Sequence, residues 1–184
     1  MAAFKPLFFR DWVLESILSV LLVFILIFTY NKFKFSNLSY GLITIHLILH
    51  TIGSHYTYAE VPFGFWLQNY FNLTRNHYDR IVHFAFGLLM TYPIKELISR
   101  KTKLNLFWSY FFSFSVICMF SLSYELLEII TAYIVAPDLG LAYLGTQGDL
   151  LDGQKDSLLA LGGSLISLFA IFLRNKLKWG SKIN

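Results

Sequence analysis

Few charged residues and almost no cysteine distinguish this chain of 184 residues. Asp, Glu, Lys and Arg make up 14% of the sequence, whereas soluble domains contain about 25%. The single cysteine, Cys118, excludes a disulfide framework and a zinc site made of cysteines. The glycine patterns of dinucleotide- and phosphate-binding loops and the G-x-S-x-G turn of hydrolases are also missing. The chain therefore lacks the signatures of several common soluble enzyme classes.

Long apolar runs are what the sequence does contain. Hydrophobic residues make up 56% of the chain and aromatic residues 18%, and the mean hydropathy is +0.56. The net charge of +4 does not indicate nucleic-acid binding, because the lysines and arginines flank the apolar runs and form no patch. These features predict an all-α, polytopic membrane protein. We expect one transmembrane domain over residues 1–184, with membrane lipid as its surroundings and homo-oligomers as one option.

Five of the apolar runs are long enough to cross a membrane, since a helix needs about 20 mostly apolar residues to span the hydrocarbon core. A shorter segment, residues 61–71, carries Phe63, Trp66 and Tyr70 on one face of a helix that would start at Pro62. Aromatic side chains anchor helices in the membrane interface, so we predict a short interfacial helix there. The five predicted spans cover residues 12–30, 38–54, 81–98, 106–134 and 157–173.

The basic residues of the short loops predict the orientation in the membrane. With five spans, ten of the 15 lysines and arginines fall on the side of the C-terminus. Loops rich in lysine and arginine stay in the cytoplasm. We therefore predict a cytoplasmic C-terminus and an N-terminus outside. The side of the N-terminus receives only Lys5, Arg10, Arg75, Arg80 and Lys155.

Ionisable side chains are concentrated at the ends of three predicted spans. His83 lies just inside the third span, Glu125 and Glu128 lie in the last third of the fourth, and three aspartates in residues 149–156 precede the fifth. Topology puts these groups on the same side of the membrane, because two crossings separate the second loop from the fourth. Charged groups inside a span cost about 2.5–3.5 kcal/mol and usually face the bundle interior or a wet cavity. The sequence thus predicts a polar, partly buried site in the outer leaflet.

The candidate residues of this site have roles that their side chains allow. Glu125 and Glu128, one helical turn apart, are candidates for a catalytic general base. A divalent metal ion is a candidate cofactor, because histidine with carboxylates suits zinc, manganese or iron. Arginines could hold a phosphate. The predicted metal ligands are His83, Glu128, Asp149, Asp152 and Asp156. The predicted ligand-binding residues are His55, Glu60, Arg75, Asp79, Arg80, Gln147 and Gln154.

The same residues also have simpler structural interpretations. A hydrogen-bonded polar core built around Arg75 and Arg80 would need no metal. One interpretation makes Asp149 an N-cap with Asp152 at the third helical position. The T-Q-G-D stretch offers an alternative capping box with Thr146 as the cap. Capping of this kind would explain one or two of the aspartates. Capping leaves Asp156, one turn further along, without a role. The sequence keeps both interpretations open.

Four stretches carry a resemblance to a known family: "HYTYAEVPFG", "RNHYDRIVHFAFG", "SYELLE" and "YLGTQGDLLDGQKDSLLALGG". Over these, from about His55 to Gly163, the chain resembles the YjdF family of bacterial inner-membrane proteins. This resemblance implies a multi-pass protein of the bacterial inner membrane and specifies no reaction.

A looser similarity is to VanZ-like membrane proteins. Their pattern is an aspartate and a histidine opening one span, a glutamate closing the next, and an aspartate-rich turn before a glycine-rich span. It corresponds here to Asp79 and His83, to Glu125 or Glu128, and to residues 149–156. This similarity implies a role in the cell envelope or on lipids. The longer, aromatic second loop of this chain departs from that pattern.

Three functional hypotheses follow from the sequence. The first is recognition or modification of an amphiphile or lipid head group at the polar site; as an enzyme, such a protein would be a metal-assisted intramembrane hydrolase or transferase. The second is a small transporter or channel component that uses the carboxylates and His50 as an ion path. The third is a structural or assembly role in the envelope.

Overall fold

The part of the chain that the structure describes consists of helices joined by loops. The structure, a computed structural model, describes residues 5–135 and 147–180, with side chains from 5 to 134 and from 147 to 177. These ranges contain six helices and no strand, which confirms the predicted all-α fold. The helices are α1 (Phe9–Thr29), α2 (Asn37–His55), α3 (Pro62–Tyr70), α4 (Tyr78–Lys101), α5 (Leu106–Val135) and α6 (Asp152–Gly180).

Four of these helices, α1, α4, α5 and α6, are long and apolar enough to cross a membrane. The sequence predicted about five spans, and the difference is α2. This helix has 19 residues, enough for about 28 Å, but its serines, threonines and histidines lower its hydropathy. The short helix α3 falls within the predicted interfacial segment 61–71. Helices α4 and α6 begin earlier than the predicted spans, so residues 78–80 and 152–156 are helical.

Individual side chains fix where several helices begin. Ser36 caps α2 by accepting a 3.2 Å hydrogen bond from the N–H of Ser39. Pro62 occupies the first turn of α3, where its missing N–H costs nothing. The side chain of Asn76 accepts from the N–H of Tyr78 at the start of α4. Asn105 accepts from the N–H of Trp108 at the start of α5. These caps set the register of the polar residues that follow.

Helices α4 and α6 cross closely because two glycines let their backbones approach. A Cβ on Gly87 would lie 1.7 Å from the carbonyl oxygen of Ala160, and one on Gly163 would lie 2.3 Å from that of Phe84. Small residues permit this kind of approach between transmembrane helices. The α4–α6 pair is the most extensive helix contact of the described chain. It therefore fixes the first turns of both helices relative to each other.

One end of the bundle gathers the start of α1, the end of α2 and the late part of α5. The N–H of Leu7 donates to the carbonyl of His55 at 3.1 Å. The hydroxyl of Tyr124 on α5 donates to Glu15 on α1 at 2.5 Å. The first turns of α4 and α6 lie at this end too, as the contacts below show. We call it the site end.

Glu96 of α4 holds the opposite end together. Its carboxylate accepts from the N–H of Ser36 at 3.0 Å and from the Ser36 hydroxyl at 2.8 Å, as well as from the Ser39 hydroxyl. It also pairs with Arg100 at 2.7 Å. Between the two ends lies an apolar cluster of Ile43, Met90 and Ile117. The bundle is thus polar at both ends, with this apolar cluster and the buried hydroxyl pair of Thr91 and Ser164 between them.

Candidate functional site

Two arginines and two aspartates form a network of ion pairs at the site end, and Arg75 and Asp152 are its most buried members. Arg75, just before α4, makes two parallel hydrogen bonds with Asp152 of α6, at 2.5 and 2.9 Å. Arg80 donates to Asp149 at 2.7 Å and to Asp152 at 2.9 Å. Paired donors that match a carboxylate give strong and directional contacts. Because both arginines are engaged, holding a phosphate would require them to exchange or share these partners.

Asp149 forms the exposed edge of this network. Hydrogen bonds from Lys155 and Arg80 hold the pKa of its carboxyl below its usual range. Its side chain also accepts from the N–H of Leu151 at 3.2 Å, a local turn that aspartate favours before a helix. The helix starts at Asp152, so Asp152 occupies its first position and not the third. The predicted N-cap at Asp149 is therefore wrong, because Asp149 precedes the N-cap position, Leu151, and forms a turn before the helix; Asp152 is engaged by arginine.

A second group of ionisable side chains lies against the first. The Nε2 atom of His83 is 3.5 Å from a carboxylate oxygen of Asp79 and 3.5 Å from one of Glu125. Asp156, one turn into α6, is 2% exposed, and its Oδ1 is 3.8 Å from Arg80. Neither that oxygen nor Oε1 of Glu125 has a hydrogen-bond partner among the described residues. Three helices therefore bring a histidine and three carboxylates together.

Gly153 leaves room for the glutamate that faces α6. A Cβ at this position would lie 2.4 Å from the Glu125 carboxylate. The second predicted glutamate, Glu128, is half-buried one turn further along α5, within electrostatic reach of Glu15 and Glu125. The two glutamates thus lie where α5 and α6 pack together. Their predicted role as a general base stays a prediction.

Three aspartates have the spacing of a metal site. Oxygens of Asp79, Asp152 and Asp156 lie within 4.8 Å of one another. The sequence prediction of metal ligands included Asp152 and Asp156 but assigned Asp79 to ligand binding. His83 is beside this group, whereas Asp149 and Glu128 lie at its margins. This set of carboxylates with one imidazole suits a divalent cation such as Mn²⁺, Fe²⁺ or Zn²⁺.

Asn76 is a structural residue of the site that the sequence prediction missed. Its buried side chain donates to the carbonyls of Ala59 and Val61 at 2.9 and 3.0 Å, and it packs against Gly64 of α3, where a Cβ would overlap it. Its own N–H and carbonyl pair with the Gln147 side chain at 3.0 and 2.9 Å. The loop that carries Arg75 is therefore fastened to α3 and to the segment before α6. In the sequence, only its position between Arg75 and a histidine distinguishes Asn76.

A second buried polar network extends from the site toward α1 and α2. Glu15 is the one buried residue of α1, all of which is described. Its carboxylate accepts from Tyr124, as described, and its backbone carbonyl lies 3.2 Å from Nε2 of His50. The other ring nitrogen of His50 is hydrogen-bonded to Tyr58. Burial raises the pKa of the Tyr58 hydroxyl, which stays protonated at neutral pH. In the sequence, Glu15 could have been recognised as a candidate because it is a carboxylate inside an apolar run.

Three predicted ligand-binding residues lie apart from these contacts. Glu60 is exposed before α3, and Gln154 is exposed on α6. His55 ends α2, where its ring contacts that of Tyr56. Gln147 is tied to Asn76 as described. Of the predicted set, the arginines and Asp79 are thus the residues that contact the buried carboxylate or histidine groups.

Comparison with known proteins identifies the family to which the chain is similar. A family model described as predicted membrane protein (DUF2238) matches residues 1–176. The inner membrane protein YjdF of Escherichia coli (strain K12) is 34% identical over 165 residues, which are 88% of this chain and 77% of that protein. No solved structure matches the chain.

These matches confirm the resemblance to YjdF and, together with the apolar helices, indicate a multi-pass protein of the inner membrane. The similarity to VanZ-like proteins stays a prediction. With a match over nearly its whole length, the chain belongs to the DUF2238 family of predicted membrane proteins.

Proposed function

We propose that the protein recognises or modifies an amphiphilic molecule whose head group enters the site end of the bundle from the outer leaflet. The observation that carries this proposal is an exposed aromatic ridge fastened to an ion-paired site. The ridge consists of Phe63, Trp66 and Tyr70 on α3, which are 52–68% exposed. Their rings stack in sequence at 5.7 and 5.6 Å.

The ridge and the charged groups are connected through direct contacts. Asn76 ties α3 to the loop of Arg75, and Arg75 pairs with α6. An aromatic ridge suits the boundary between acyl chains and head groups, while the charged groups suit a polar head. A molecule with an apolar tail and a polar head matches this arrangement. The asymmetry of the basic residues supports the outer leaflet as the side from which it enters.

Modification of such a ligand would use the glutamates of α5. Glu125, beside His83, is placed to accept a proton from a water molecule or hydroxyl in the site, which is the role of a general base. Glu128 is the alternative base one turn away. The half-exposed Asp149 and Lys155 give the edge of the site both signs of charge. Recognition is the minimal function and catalysis an extension of it.

A transport function is less well supported. The network of Glu15, His50 and Tyr58 would serve the first half of a proton path. Beyond it, the described core is apolar at Ile43, Met90 and Ile117. The polar groups near them, His46 and the paired hydroxyls of Thr91 and Ser164, are joined to Glu96 by no hydrogen bond among the described residues. We therefore favour a ligand that enters and leaves at one face of the membrane.

Native mass spectrometry of the detergent-purified protein tests the proposal. The wild type is expected to retain a lipid whose mass identifies its head group. Combined replacement of Trp66 and Tyr70 by alanine should lower that retention several-fold, because the ridge that holds the apolar part is removed. The matched control replaces Phe24 and Phe28 by alanine, since they are exposed aromatic residues (51% and 76%) whose rings also stack, in the half of α1 away from the site end. Equal retention in all three proteins would refute the proposal.

A further inference from the structure

We propose that the site end holds one divalent cation, bound by Asp79 and Asp156 with Asp152, and flanked by His83 and Glu125. This inference rests on the proposed function and deepens it, because a carboxylate-bound cation would bind an amphiphile through a phosphate or another anionic head group. The oxygens of the three aspartates lie within 4.8 Å of one another, close enough to share one ion.

An unpartnered buried oxygen points to the ion. Oδ1 of Asp156 belongs to a side chain that is 3% exposed, and it accepts no hydrogen bond from any described residue. Buried polar groups are nearly always satisfied. Arg80 Nε, at 3.8 Å, is too far to hydrogen-bond to it. A cation between Asp156 and Asp79 would satisfy this oxygen.

A second unpartnered oxygen comes from a different helix. Oε1 of Glu125 on α5 lacks a hydrogen-bond partner among the described residues and lies 3.5 Å from His83. His83 is 8% exposed and also faces Asp79. The group is thus a mixed set of carboxylates and one imidazole from α4, α5 and α6. Such a set is typical of sites for Mn²⁺, Fe²⁺ or Zn²⁺.

The charge balance of the site end also favours a cation. On α4, α5, α6 and the loops that precede α4 and α6, six carboxylates converge there, on Asp79, Glu125, Glu128, Asp149, Asp152 and Asp156. The same elements supply three cationic side chains, Arg75, Arg80 and Lys155, and all three contact Asp149 or Asp152. Uncompensated charge is expensive in a low-dielectric interior. The excess negative charge lies on the α4–α5 side, where the ion would be.

The arginines are compatible with this ion because they hold its ligands from outside. Asp152 receives Arg75 on both oxygens and Arg80 on one, so it contributes through a remaining lone pair. Carboxylate ligands of metals are commonly hydrogen-bonded in this way, which fixes their orientation. Asp79 and Asp156 are then the principal ligands, and their loss is the sharpest test.

Manganese binding to the full-length protein tests the inference. Protein purified in detergent, stripped with a chelator and dialysed, is titrated with Mn²⁺, and free Mn²⁺ is followed by its electron paramagnetic resonance signal. The wild type should bind one ion per chain in the micromolar range or tighter. Asp79→Asn and Asp156→Asn should each bind at least about tenfold more weakly. Asp11→Asn, which removes a half-buried carboxylate of α1 at the same end, should bind like the wild type.

The outcomes separate this inference from the proposed function. Failure of the folded wild type to bind Mn²⁺, or equal binding by all variants, would overturn the cation site. Retention of lipid by the chelator-stripped protein would then leave head-group recognition standing. Tight Mn²⁺ binding without any retained lipid would uphold the cation and refute the head group. Should Asp156→Asn fail to fold, Asp79→Asn decides, because Asp79 lies on the margin of the buried arginine pairs.

Discussion

At the scale of single residues, Arg75 shows how the bundle accommodates a charge away from water. Its side chain is 7% exposed, and that of its partner Asp152 is 4% exposed. The attraction between two buried charges mainly offsets what their removal from water costs, so the intact pair adds little net stability. Removing one partner leaves the other charge buried without compensation. The pair therefore affects the stability of the protein most when one of its two partners is removed.

Breaking this pair from either side should destabilise the protein strongly. We expect Arg75→Gln to lower the free energy of unfolding by roughly 3–5 kcal/mol, because the Asp152 charge loses its bidentate partner. Adding Asp152→Asn to Arg75→Gln should cost less than the two single losses together. Thermal unfolding in one detergent measures all three variants.

The pair of Glu96 with the exposed Arg100 provides the control. Arg100 is 48% exposed, and exposed pairs contribute about 0–1 kcal/mol. Arg100→Gln should therefore change stability by less than about 1 kcal/mol. Strictly additive losses in the Arg75 and Asp152 variants would contradict the buried coupling.

At the scale of elements, the α4–α6 crossing determines the geometry of the site. The carbonyl of Ala160 occupies the place where a Cβ on Gly87 would be. Neither helix can rotate without separating this contact, because backbone meets backbone there. Asp79 and His83 precede the crossing on α4, as Asp152 and Asp156 do on α6. The crossing, one to two helical turns away, thus sets the distance between the side chains on α4 and those on α6.

Gly87→Ala should force the two helices apart. The added methyl meets backbone atoms, which cannot move aside as a flexible side chain can, and overpacking of this kind costs about 1–3 kcal/mol. The matched control is Gly162→Ala, since a Cβ at Gly162 meets nothing within 4 Å. Thermal unfolding should show a loss for the first variant and none for the second. Similar behaviour of the two variants would show that the crossing tolerates separation.

The same elements show what the sequence could and could not predict. Hydrophobic run length identified α1, α4, α5 and α6, because membrane thickness imposes that length on any spanning helix. Topology alone brought the second and fourth loops to one end. The pairing of Arg75 with Asp152 depends on loop geometry fixed by Asn76 and Gln147, which no periodicity reports. Glu15 joined the site through the hydroxyl of Tyr124 on α5 and the ring of His50 on α2, long-range contacts that a single apolar run does not reveal.

At the scale of the whole molecule, the orientation remains a prediction that a labelling experiment decides. Replacing Cys118 by serine gives a background without cysteine. Thr74→Cys and Lys103→Cys then place single thiols at exposed positions near opposite ends of α4. A membrane-impermeant maleimide should label residue 74 in spheroplasts and residue 103 only after permeabilisation. The reverse pattern would put the site end in the cytoplasm.

The close pairing of α4 with α6 also has a consequence for how the protein is made. All of α5 is synthesised between these two helices, so Arg75 and Arg80 leave the ribosome well before the aspartates that neutralise them. During that interval the first turn of α4 carries charges without their final partners at the membrane boundary. Water at the boundary can solvate these charges until α6 packs against α4. The packing of α6, and not the insertion of α4, is then the step that buries the two arginines.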